Sequence, residues 1–299
     1  MKLIVLPAGL VLAVLGLAVL VGWLRLALPD ADSLAAALEQ EGPARWQAAV
    51  TLADMLRDPA RADLKKNPKL AARLAAILDR QLQAGGTQPE QVTLRMYLCR
   101  ALGEFQLPDV LPVLMRAAAD GGQREADVRR SAIEAIAVLG SSLGPENVRQ
   151  YEGLMPLLLQ AARDPQAPLR SSAAFTLGVL GGAEAEKQLT AMLRDVYPDV
   201  RYNAATGLAR HGNTACLGVL LEMLDANETA GIDVEKQEAA RPFKRALILI
   251  NALRAVEQLA AANRSADLAP VKPAVVRLSH ADVSPQVRIS AREVLRSLP

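Results

Sequence analysis

Aromatic residues are scarce in this chain of 299 residues, which holds two Trp, four Tyr and three Phe. A β-sandwich or barrel builds its core from β-branched and aromatic side chains in alternating runs, and no such runs are present. Ala, Leu and Arg dominate instead, all good helix formers, so the expected fold class is all-α. Cysteine is nearly absent: Cys99 and Cys216 sit in separate apolar helical patterns, which excludes a disulfide framework and leaves them as small buried hydrophobes. Histidine is equally sparse. His211 lies at the end of a helical pattern and His280 in a turn beside Asp282, and neither has a Cys, His or carboxylate at ligand spacing, so no metal is expected. No charge of one sign prevails. With 34 basic and 32 acidic residues and a net charge of +2 there is no clustered basic surplus, which argues against a nucleic-acid partner. No Walker loop, dinucleotide fingerprint or nucleophile elbow occurs. Gly121-Gly122 and Gly181-Gly182 lie between helical segments with no preceding strand and read as turns. Neither enzyme activity nor a cofactor is expected.

What the chain does hold is a recurring phrase: an aliphatic residue, Arg, two variable residues, Ala, and Leu or Ile four positions on. It reads Val128-Arg129-x-x-Ala132…Ile136, Leu169-Arg170-x-x-Ala173…Leu177, Val200-Arg201-x-x-Ala204…Leu208 and Val287-Arg288-x-x-Ala291…Leu295. Looser copies are Ala44-Arg45-x-x-Ala48…Leu52 and Leu94-Arg95-x-x-Leu98…Leu102. A period of roughly 30–50 residues marks a stacked array whose units bury their apolar faces only against their neighbours.

The second feature is an apolar run from Leu3 to Leu24 without a charge. As a helix it would cover about 33 Å, against a hydrocarbon core of about 30 Å. Trp23 suits the headgroup level, Pro7 lies near the start where a helix tolerates it, and Arg25 follows the run. A cleavable signal would have a shorter apolar centre and a small-x-small site, which Leu24–Pro29 lacks, and a lipoprotein would need a cysteine there. The expectation is a single-pass anchor over 1–29 followed by a repeat body over 30–299. Lys2 and the terminal amine favour the body on the non-cytoplasmic side. A solenoid secreted after cleavage is the alternative.

Each unit reads as a helical hairpin with the phrase on its second helix, seven in all. The pairs are Ser33–Glu39 with Ala44–Leu56, a long unit from Pro68 to Phe105, Pro108–Ala119 with Asp127–Leu139, Leu154–Arg163 with Pro168–Leu180, and Glu184–Arg194 with Pro198–Ala209. The sixth pairs Thr214–Leu224 with Pro242–Ala260 across a polar insertion at 225–240, whose acidic part near Glu235–Glu238 reads as a solvated loop. The last spans Leu268–Pro299 and has Pro270 and Pro273 in its first helix, which shortens or bends it. Prolines ahead of the second helices and glycines at Gly140, Gly181 and Gly212 read as start and stop signals. Asn227-x-Thr229 and Asn263-x-Ser265 match glycan acceptors only formally.

The phrase, with the Asp-Pro and Pro-Asp turns at Asp164-Pro165 and Pro198-Asp199, resembles HEAT repeats, more closely the HEAT-like subtype first associated with phycobilisome bilin lyases. The resemblance covers everything after the anchor. It implies a right-handed α-solenoid of about seven hairpins whose second helices line a concave face, and a scaffold or adaptor role more than catalysis. It also implies that the repeated Arg pairs with an Asp of a neighbouring turn, for which Asp127, Asp164, Asp195 and Asp199 are available. The other reading is that these arginines grip an acidic partner.

Numbering each second helix from its aliphatic residue, positions one, five, eight or nine and twelve form the core stripe. Position six (Ala49, Cys99, Ile133, Ala174, Ala205) faces the adjacent repeat. Positions three and seven then point outward and hold Trp46, Val50, Met96, Arg100, Arg130, Glu134, Ser171, Phe175, Tyr202, Thr206, Ile289 and Glu293. Trp46, Met96, Arg100, Arg130, Glu134, Phe175, Tyr202 and Thr206 are the candidate protein-binding residues, because aromatics, Met and Arg are enriched at interface centres. The competing reading has these side chains covered by other helices. The sequence thus points to a membrane-anchored scaffold or adaptor, an accessory subunit with a protein partner at the membrane surface and the bilayer engaged through residues 3–24. The alternative is a bilin-lyase-like, chromophore-handling enzyme.

Overall fold

In a computed structural model the chain is described over residues 30–40, 42, 45–119, 126–233, 235–281 and 283–298. The run Leu3–Leu24 and its expected anchor lie outside the described residues, as do Pro43, Ala44, Gly121, Gly122, Asp282 and Pro299. Among the described residues there is no strand, and no helix is long and apolar enough to cross a membrane.

Seven hairpins follow one another among the described residues. They are α1 (Ala31–Glu39) with α2 (Arg45–Arg57), α3 (Pro68–Ala84) with α4 (Pro89–Gly103), and α5 (Leu111–Ala118) with α6 (Ala126–Leu143). A short α7 (Pro145–Arg149) leads to α8 (Leu154–Ala161) with α9 (Ala167–Leu180), then α10 (Ala183–Met192) with α11 (Pro198–Arg210). In the sixth unit α12 (Leu217–Met223) is separated from α14 (Arg241–Ala262) by the single-turn α13 (Ala230–Asp233), and α15 (Lys272–His280) with α16 (Pro285–Ser297) closes the array. Local chemistry sets the starts. Pro68, Pro89, Pro198 and Pro285 occupy first turns, where a missing N–H costs nothing. Asn67 caps α3 by accepting the Lys69 and Leu70 amides.

Each second helix packs on its own first helix and on the second helices before and after it, in chain order. Units that touch only their neighbours make an α-solenoid. Its spine is the repeated phrase: Val128, Ala132 and Ile136, then Leu169, Ala173 and Leu177, then Val200, Ala204 and Leu208 are all fully buried. Position six is buried in five of the six copies as well, with Ala49, Cys99, Ile133, Ala174 and Ala205 inaccessible, while Arg292 of the last copy is exposed. Burial pushes the Cys99 and Cys216 thiols up to about 12, so both stay protonated, as a small core hydrophobe should.

Second helices approach closely at small residues. A Cβ on Gly178 of α9 would stand 2.6 Å from the Gly207 Cα of α11, and one on Gly103 of α4 would stand 2.8 Å from the Ala135 Cα of α6. First helices are spaced by larger side chains and touch less. Close second helices and splayed first helices bend the array toward the second-helix side.

Three details correct the sequence reading. Gly140 does not end its helix, because α6 continues to Leu143 and Gly144, at φ +90°, makes the break. Gly140 instead makes room for Leu180, whose Cδ2 would lie 2.6 Å from an added Cβ. The third and sixth units start with 3₁₀ turns at Pro108–Val110 and Thr214–Cys216. The insertion at 225–240 holds a docked helical turn that the sequence reading lacks, since Gly231 and Ile232 of α13 are buried, while Lys236–Ala239 are exposed as expected of a solvated loop around Glu235–Glu238.

Gly178→Ala forces a methyl against backbone and is expected to destabilise by about 1–3 kcal/mol. Gly218→Ala, on an exposed helical turn with nothing within 4 Å, is expected to stabilise by a few tenths to about 1 kcal/mol. Urea denaturation of both variants checks this, and equal effects would refute close helix approach at Gly178.

Candidate protein-binding groove

The walls of the second-helix face are fixed by the repeated arginine. Arg170 points Nη1 at its own turn, donating to the carbonyls of Asp164 (2.9 Å) and Pro165 (3.0 Å), while Nε and Nη2 grip Asp195 of the next turn at 2.7 and 2.9 Å. Arg201 repeats this one unit on, bonding the Asp195 carbonyl at 2.8 Å and Glu222 at 2.5 Å. Arg129 reaches Asp164 at 3.0 Å with both side chains nearly buried. The acids also shape their own turns, Asp164 accepting the Gln166 amide and Asp195 the Tyr197 amide, each at 2.9 Å. Arg95 is fully buried and donates to the Gly85 and Gly86 carbonyls at 2.7 and 2.6 Å. These are helix carboxyl ends, where a cation is favoured. Of the four acids expected to serve, only Asp164 and Asp195 join the ladder. Asp127 pairs with Arg130 one turn along its helix, Asp199 pairs with Lys244, and Glu222 takes the third rung.

Between these walls runs a groove of about 640 Å³, lined from α6, α9, α11 and α14. Its apolar part is Val138, Pro168, Phe175 and Tyr197, with Phe175 39% and Tyr197 47% exposed. Its polar groups are mostly paired with one another, the buried Nε of Arg130 excepted. Glu134 accepts from the Ser172 hydroxyl at 2.7 Å, Asn203 donates to the Ser171 hydroxyl at 2.9 Å, and Lys244 lies 3.4 Å from Asp199.

The candidate residues separate into groups. Arg130, Glu134 and Phe175 line this groove together, and Thr206 lines an adjoining recess that also reaches Phe175. Trp46 borders a different recess near α2 and α4, while Met96 and Arg100 are half-buried on α4 outside the groove, with Arg100 stacked over Tyr97 at 4.8 Å. Tyr202 is a correction: it faces inward and is only 5% exposed. Its hydroxyl donates to Glu222 at 3.0 Å, and the insertion folds over its ring, which would lie 2.7 Å from a Cβ on Gly231. Burial and the Glu222 carboxylate push the Tyr202 hydroxyl far above its ordinary value. Tyr197, Asn203 and Lys244 were not singled out. Asn203 occupies position four, as does Ser172 on the groove side of α9, a position outside the stripe of three and seven, and Tyr197 and Lys244 lie at helix starts. Among the described residues no three His, Cys, Asp or Glu side chains gather as a metal site would require.

With this geometry in view, the sequence model for HEAT repeats matches residues 155–235, which span the fourth and fifth hairpins and part of the sixth. No curated protein sequence matches the chain. Among solved structures, the CpcE–CpcF complex of phycocyanin lyase from Nostoc sp. PCC7120 is similar at 18% identity and a TM-score of 0.51, covering 91% of this chain and 96% of that one. YibA of Escherichia coli aligns at 19% identity and a TM-score of 0.48, covering 90% and 93%. Human deoxyhypusine hydroxylase aligns at 20% identity and a TM-score of 0.33, covering 89% and 95%. At such identities the likeness concerns the fold alone, an α-solenoid of the HEAT type.

Arg170→Ala leaves Asp195 without its partner and is expected to cost about 3 kcal/mol or more. The Asp195 carboxyl is pulled up by burial, but Arg170, the Tyr197 amide and the charge of Arg201 outweigh this and hold it below the ordinary 3.8. A carboxyl lowered on folding stabilises above its unfolded value, and that contribution disappears as pH falls through the folded value. Acid unfolding of the parent chain should therefore steepen below pH of about 4, and Asp195→Asn should flatten it. An unchanged acid profile would remove Asp195 from this role.

Proposed function

We propose that the chain is a scaffold that holds a protein partner in the groove of α6, α9, α11 and α14, tethered to a bilayer by Leu3–Leu24. The groove carries this reading. It is open, draws on the second helices of four successive hairpins, and exposes a large aromatic, Phe175, beside Val138 and Tyr197 in a chain with few aromatics. Exposed aromatic surface at the centre of a polar-rimmed trough is what protein interfaces select. The tether rests on the uncharged run and on the few residues that separate it from α1, which favour a partner at the membrane surface.

Phe175→Asp places a charge on the apolar part of the groove without disturbing the buried spine. In a mild-detergent pull-down it should reduce recovery of a stoichiometric companion about tenfold or more, with melting within a few degrees of the parent. Companions recovered equally well by the variant would refute the groove as the binding surface. Extraction of membranes with alkaline carbonate should leave the full chain in the pellet, and a chain lacking residues 1–29 should be released. The scaffold is expected to purify without colour, whereas a stoichiometric visible chromophore would favour the lyase-like alternative.

A further inference from the structure

Toward the carboxyl ends of the same second helices lies a smaller recess of about 230 Å³. It shares Phe175 and Asn203 with the apolar groove, so the two form one continuous trough. Their chemistry differs. In the groove each cation has an acid beside it, Arg130 with Asp127 and Lys244 with Asp199. The recess is lined by Arg210 and Arg254 and by the amides of Asn251 and Gln258, with no acidic residue. Arg254 is exposed and has no carboxylate or hydrogen-bond acceptor among the described residues. Arg210 donates only to the Gly178 carbonyl, at 3.1 Å. Burial lowers its guanidinium below the ordinary value, and no nearby acid offsets that. Arg254 without an acceptor beside Arg210 with a carbonyl alone leaves this acid-free recess with uncompensated positive charge, which an anion from outside would balance.

The anion would lie close to the apolar surface, because Phe175 lines both the groove and the recess. On α9 Phe175 holds position seven of the phrase, the register of Thr206 on α11, and Arg210 lies one turn further along. That rise of roughly 6 Å is covered by about two residues of extended chain. The Asn251 and Gln258 amides make no hydrogen bond to another described residue and stand ready for the backbone groups that an extended segment leaves unpaired.

We infer that the trough takes an extended segment of a partner protein, one that seats an apolar side chain on Phe175 and Val138 and sets carboxylates about two to four residues away against Arg210 and Arg254. This rests on the groove-binding reading above and adds the chemistry of the occupant. A purely anionic ligand would leave the apolar half unused, and a purely apolar one would leave Arg254 without an acceptor and Arg210 with a carbonyl alone.

A random dodecapeptide phage library panned on the full chain in mild detergent tests this. The expected consensus is an aromatic or aliphatic residue separated by about two to four positions from two or more Asp or Glu. The consensus peptide, followed by fluorescence anisotropy, should bind Arg254→Glu about five- to tenfold more weakly, keep most of its affinity for Arg254→Lys, and lose binding to Phe175→Asp. Arg254 is exposed, so its variants are expected to melt like the parent, which keeps the comparison free of folding defects. A consensus without acids, dependent on Phe175 and indifferent to Arg254→Glu, would overturn the inference and leave the groove reading standing. An acids-only consensus indifferent to Phe175, no consensus at all, or one indifferent to both residues would overturn both.

Discussion

The repeated arginine of the second helices ties hairpin ends together, and the form of the solenoid depends on it. One edge of the guanidinium closes the carbonyls at the end of its own hairpin's first helix, and in three repeats the other edge holds an acid of the hairpin that follows. Apolar stacking alone would let neighbouring units slide, because Ala and Leu surfaces are forgiving in register. A bidentate bond between Arg170 and Asp195 is not, since it constrains both distance and angle. The same acid organises the turn that begins the next second helix, so one bond sets the position of two elements. Removing either partner leaves a nearly buried charge, which makes the ladder a strong determinant of register.

That register is what produces a usable surface. Because α6, α9 and α11 are held in fixed order and brought close through Gly103, Gly178 and Gly207, side chains from successive repeats meet in one trough and do not spread over a flat sheet of helices. The insertion contributes by subtraction. By folding α13 over Tyr202 it removes one aromatic from the exposed face and leaves Phe175 and Tyr197 as the accessible rings that line the groove.

Much of this was legible in the sequence, for physical reasons. A phrase with apolar residues at helical spacing can bury them only on one stripe, so the buried identity of Val128, Ala132, Ile136 and their counterparts follows from the pattern alone. The Arg-to-Asp pairing was also readable, through the resemblance to HEAT repeats, but the choice of acids was not. Asp199 and Asp127 sit as close in sequence as Asp195 and Asp164, and only helix rotation sends them to Lys244 and Arg130. Tyr202 illustrates the other limit. Position three is outward in Arg130 and Ser171, and it is the polar insertion, unique to the sixth unit, that covers the equivalent ring. Nothing in a stretch rich in Glu and Ala announces that Gly231 and Ile232 will dock. Helix ends misled in the same way, since Gly140 has the composition of a stop signal and serves as a notch for Leu180.

The ladder is not uniform along the chain. Its rungs join the third unit to the fourth, the fourth to the fifth and the fifth to the sixth. Beyond Glu222, Arg245 and Arg288 hold only the carbonyls of Ala226 and Val283 in their own turns. In an array whose cohesion is a sum of nearest-neighbour terms, a missing rung is a weak seam. Amide exchange should thus spread inward from α15 and α16, and a pulling force should peel that terminal hairpin away while the centre stays intact. The middle of the protein behaves as a stiff bar, the far end as a hinged leaf.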